Sequence, residues 1–183
     1  MTAPRLAFLV AAAATLVLAG CSTPAPAPVD PTPTEPPAPA VAVLSDLDFP
    51  FESPETIATL ADTRTALEDW FADYTATCTA EQAGSADSAD CTEGVLTTLQ
   101  NVNAVKTVFD FSPWSDDDFA GGTYSGLVAL EPTKDAIQAA SDNGSDVVDH
   151  CYYVPGGDGC ADEIQTFLDL TSAAIAEMQT WEP

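Results

Sequence analysis

Positive charge is what this sequence has least of. Against 29 Asp and Glu stand four Lys and Arg and one His, for a formal net charge of −25 over 183 residues. Such a chain repels polyanions and anionic headgroups, which excludes nucleic acid as a partner. The single histidine, His150, adjoins Cys151, and no serine–aspartate arrangement with a local signature surrounds it. A glycine-rich phosphate loop is missing too, because GGDG (156–159) follows a Val-Pro pair and opens no lysine-bearing helix. A carboxylate pair for glycoside hydrolysis would have to be picked from 29 acids with nothing to mark it. The expectation is a protein that is not an enzyme and needs no cofactor.

Cysteine is sparse and odd in number, at five. The first closes the opening run MTAPRLAFLVAAAATLVLAGC, in which Arg5 precedes an apolar segment from Leu6 to Ala19. That segment is too short and alanine-rich for a membrane span and has the pattern of an export signal. It resembles a bacterial lipoprotein signal peptide, with Leu18, Ala19, Gly20 and Cys21 standing as its lipobox. The resemblance covers residues 1–21 alone. It implies that residues 1–20 are removed and that Cys21 becomes the lipidated first residue. The protein would then be extracytoplasmic and anchored in the bacterial cell membrane, each buried methylene contributing about 0.8 kcal/mol.

Lipidation of Cys21 leaves Cys78, Cys91, Cys151 and Cys160, an even set in an oxidising compartment, where two disulfides are the default. Three pairings are open, and proximity favours Cys78–Cys91 with Cys151–Cys160. Residues 21–44, STPAPAPVDPTPTEPPAPAVAV at their centre, carry proline at nearly every second or third position and no aromatic residue. They read as a disordered, semi-rigid stalk of roughly 3.1 Å per residue.

Residues 45–183 suffice for one domain with a real core. Period-two alternation is scarce and helical spacing abundant, so the fold expected is all-α, an up-down four-helix bundle of two disulfide-stapled hairpins. Ser53-Pro54-Glu55 opens the first helix, with Ile57, Leu60, Leu67, Phe71, Tyr74 and Cys78 on its stripe. The second runs from about Thr92 to Asp110, and the fourth from about Ala161 to Trp181. The third is expected in two pieces, Pro132–Asp142 and Asp146–Cys151, because Pro132 and the SDNGS run (141–145) read as breaks. Ser112-Pro113 marks a brief helix ended by Gly121-Gly122.

Three features are candidate sites. Arg64, Lys106 and Lys134 fall on the apolar seams of three helices, about 21–26 Å below the cysteines at 1.5 Å per residue. Glu177 lies at the same depth, so a charged layer, or a pocket for a small anion anchored by Arg64, is drawn there. The other reading is long basic stems that snorkel to nearby acids. The aspartate clusters 116–118 and 142–149 suit calcium by ligand type, but they lack the EF-hand spacing, and capping explains them. No metal is assigned. Finally, Tyr152, Tyr153 and Val154 occupy a stapled loop at the tip expected to face outward, as partner-binding residues or as a cap on the core. The function expected is a non-catalytic interaction module on a stalk, meeting an envelope protein partner. The alternative is an extracytoplasmic solute- or ion-binding protein.

Overall fold

Four long helices bury the stripes that their spacing marks. The computed structural model describes residues 41–51 and 54–183, and none of the described helices is long and apolar enough to cross a membrane. The lipobox with Cys21, the stalk to residue 40, and Ser53 lie outside the described residues.

Helix α1 (Pro54–Thr77) begins on proline, whose missing N–H costs nothing at the first helical position. It buries Leu60, Leu67 and Tyr74, with Ile57, Phe71 and Cys78 half-buried beside them. A short α2 (Ala80–Ala83) fills the first disulfide loop, closed at its start by a Thr79–Gln82 capping box. Helix α3 (Ala89–Asp110) buries Val95, Leu99, Val102 and Phe109. After a turn comes α4 (Asp116–Ala120), then α5 (Ser125–Val147), a π-helical turn (Val148–Tyr152) and α6 (Cys160–Met178).

Neighbouring long helices run antiparallel. Between α1 and α3, Trp70 Nε1 donates to Thr98 Oγ1 and the Tyr74 hydroxyl to the Cys91 carbonyl, each at 3.1 Å. Ser141 Oγ reaches Asn103 Oδ1 at 2.7 Å to join α5 to α3. The disulfides are Cys78–Cys91 and Cys151–Cys160, each with Cα atoms 5.5 Å apart. The domain is therefore all-α with two stapled hairpins. Two such bonds mark an oxidising, extracytoplasmic compartment. Both staples lie at one end, where the Gly156 N–H donates to the Gly84 carbonyl at 2.8 Å and joins the two loops.

Four expectations need correction. Helix α5 is continuous where two pieces were expected. Pro132 lies on its exposed face, so the carbonyl it deprives, that of Val128, is on the solvent side, while Leu130, Thr133 and Ile137 are fully buried around it. Nor is Gly144 a stop. Helix α5 meets α3 and α6 there so closely that an added Cβ would stand 2.6 Å from Phe167 Cε2 and 2.8 Å from Leu99 Cδ1. The brief helix α4 starts from a Ser115–Asp118 capping box rather than from Ser112-Pro113, and ends as expected at Gly121 and Gly122, the latter at φ +59°. Last, the folded region starts ahead of Ser45. Ala42–Val43 (β1) pairs in parallel with Trp181–Glu182 (β2), and Leu44 is fully buried, so Trp181 closes the core from a strand and not from α6.

Gly144 sets two effects against each other. Alanine is the better helix former by roughly 1 kcal/mol. Forcing a methyl between a packed ring and a leucine costs about 1–3 kcal/mol. The steric cost should win, so Gly144→Ala is expected to lower the urea midpoint of unfolding.

Candidate functional site

The seam cations turn to separate partners. Arg64 donates from Nε to Glu68 Oε1 at 3.0 Å and from Nη1 to the Trp181 carbonyl at 2.6 Å, with its guanidinium 5.0 Å from the Trp181 ring centroid. Lys106 pairs with Asp110 one turn on. Lys134 reaches Asp116 Oδ1 at 2.6 Å and lies over the Phe119 ring. Glu177 is half-buried, and no ion pair among the described residues joins it to the three cations or joins them to a common partner. The levels do agree in part, since Arg64 and Thr133, next to Lys134, both meet Trp181. The charged layer is nevertheless resolved into separate pairs, as long stems beside abundant carboxylates would be.

Two of the aspartates of α4, Asp116 and Asp118, are likewise engaged. A hydrogen bond from Lys134, and then its charge, hold the Asp116 carboxyl below the usual carboxylate range. Hydrogen bonds from the Ser115 side chain and backbone do the same for Asp118. Asp142 accepts from Gln138, and His150 stands 3.5 Å from Glu163 on the surface. Among the described residues, no group of three or more His, Cys, Asp or Glu is placed to hold a metal ion. Under the first staple, burial pushes the Tyr74 hydroxyl up to about 12, and it donates a hydrogen bond to the Cys91 carbonyl.

At the stapled tip the two tyrosines part ways. Tyr152 packs against the core, while Tyr153 and Val154 are 70% and 63% exposed. The rings meet edge to face at 5.2 Å. Beside Tyr152, between the two joined loops, lies a hollow of about 280 Å³ with Ala86, Ala89 and Pro155 in its wall. Tyr152 thus takes the capping position expected of this loop, and Tyr153 and Val154 are left in solvent.

The feature that no sequence signal marked lies at the other end. Residues 44–51 form a strap along the start of α1, and the two line an open cavity of about 560 Å³. Leu44, Leu47, Phe49 and Phe51 of the strap and Ile57 and Ala58 of α1 give it an apolar lining. The strap is pinned, since the Asp48 N–H donates to Ser125 Oγ at 3.1 Å and its carbonyl accepts from Gly126 N–H at 3.0 Å. Phe49 stacks on Trp114 at 5.1 Å and presses on Gly126, where any Cβ would collide with its ring. In the strap, Leu47, Phe49 and Phe51 alternate with Asp48 and Pro50, but the run is too short and proline-broken to mark a strand. No protein-family model matches the chain, and no curated protein or solved structure matches it, which leaves the geometry as the guide to function.

Proposed function

We propose that this protein is a lipid-anchored envelope protein that displays a non-catalytic interaction module on a proline-rich stalk. The observation that carries the reading is the stapled tip. Two disulfide loops, bonded to each other, hold Tyr153 and Val154 in solvent beside a preformed hollow, at the end of the bundle away from β1, where the chain enters. Rigid exposed aromatic surface loses little entropy on association, which favours protein partners. The engagement of Asp116, Asp118 and Asp142 weighs against a calcium site, and the separate pairing of the cations against a small-anion pocket.

A photo-crosslinking benzoylphenylalanine at position 153 of the full chain, expressed in host cells, tests this. One discrete adduct is expected in the membrane fraction, from which Cys21→Ser should remove the protein. The same probe at exposed Val128 should give no such band, and Val154→Asp should abolish it without moving the unfolding midpoint. No discrete band at 153, or the same bands at 128, would sink the reading.

A further inference from the structure

We propose that the cavity lined by the strap and α1 binds the alkyl body of a cationic amphiphile, a ligand of the alkylammonium class, with Asp48 as partner for its head group. This site stands apart from the tip and does not depend on it.

Size and preformation come first. A volume of about 560 Å³ falls within the range of roughly 300–1,000 Å³ typical of small-molecule sites. The walls are set before any ligand arrives. Leu44 is fully buried, Phe49 is wedged between Trp114 and Gly126, and two hydrogen bonds hold the Asp48 backbone to Ser125 and Gly126 at the start of α5.

Charge then selects the ligand. Among the described residues, Ser45 and Asp48 are the polar ones of the lining, and no basic residue contributes to it. The three cations among the described residues are committed elsewhere, to Glu68 and the Trp181 carbonyl, to Asp110 and to Asp116. A fatty acid or a phosphate head would find no partner here and would approach against the field of a chain at −25. An alkylammonium is drawn in by that field. The carboxylate of Asp48, exposed at the rim, holds no hydrogen bond or ion pair among the described residues.

The test is calorimetric titration of the exported, oxidised full chain carrying Cys21→Ser. The probes are dodecyltrimethylammonium below its micelle concentration, dodecanoate of equal chain length, and tetramethylammonium as the head alone. Saturable one-site binding of dodecyltrimethylammonium is expected, about tenfold or more tighter than either comparison probe. Ala58→Trp, which fills the cavity from an exposed position of α1, should abolish it, and Asp48→Asn should weaken it several-fold. Equal binding of dodecanoate would overturn the proposal, as would no saturable binding. Binding that persists in a folded Ala58→Trp variant would mean adsorption to the acidic surface. If Ala58→Trp fails to fold, Asp48→Asn decides: unchanged affinity there removes the head-group partner and the proposal with it.

Discussion

Replacing Trp181 by alanine is expected to lower the free energy of unfolding by about 3–5 kcal/mol, the range for a fully buried aromatic cut to a methyl. The side chain is 0% exposed although it lies outside every helix. Three interactions converge on it. Its Nε1 donates to Thr133 Oγ1 at 3.0 Å, its carbonyl accepts from Arg64, and the Arg64 guanidinium covers its ring. Thr133 is itself fully buried, so losing the indole also strands a hydroxyl in the core. Phenylalanine separates the parts, since it restores most of the volume but not the N–H. Trp181→Phe should therefore cost only about 1–3 kcal/mol, the price of an unpaired buried polar group. Urea unfolding of the two variants reads both numbers. If alanine costs no more than phenylalanine, the indole is not packed as described.

Trp181 also shows where sequence reading reaches its limit. The helical stripe Ile164, Phe167, Leu168, Thr171, Ile175, Met178 extends to Trp181 by spacing, and the residue is indeed in the core. Its backbone, however, belongs to a two-residue strand, and two residues carry no period from which a strand can be read. The same holds for β1, which looks like the end of a proline-rich segment and instead pairs with β2 ahead of the fully buried Leu44. Long stripes and cysteine spacing were legible because many residues repeat the same signal. Arg64, Lys106 and Lys134 were legible as seam positions but not as partners, because the choice among surrounding carboxylates is made by side-chain reach in three dimensions. At Pro132 and Gly144, local propensity lost to packing: the proline sits where water can serve the freed carbonyl, and the glycine sits where two helices leave room for nothing larger.

Reducing both disulfides should have the largest effect of all. The staples join residues 13 and 9 apart, and closing loops of that size restrains the unfolded chain by roughly 3 kcal/mol each. Together they approach the whole stability of an ordinary domain, about 5–15 kcal/mol. Urea unfolding with and without reductant is expected to show a large drop in midpoint. Replacing one pair at a time, Cys78→Ala with Cys91→Ala or Cys151→Ala with Cys160→Ala, should cost about 2–4 kcal/mol each. The two costs should not simply add. The loops share the Gly156–Gly84 hydrogen bond, so loosening one also frees the other. An unchanged midpoint on full reduction would show that the helix stripes alone hold the bundle. The expected drop would mean that this fold completes itself only after export, and that the surface carrying Tyr153 and Val154 acquires its shape in the same oxidative step that makes the domain stable.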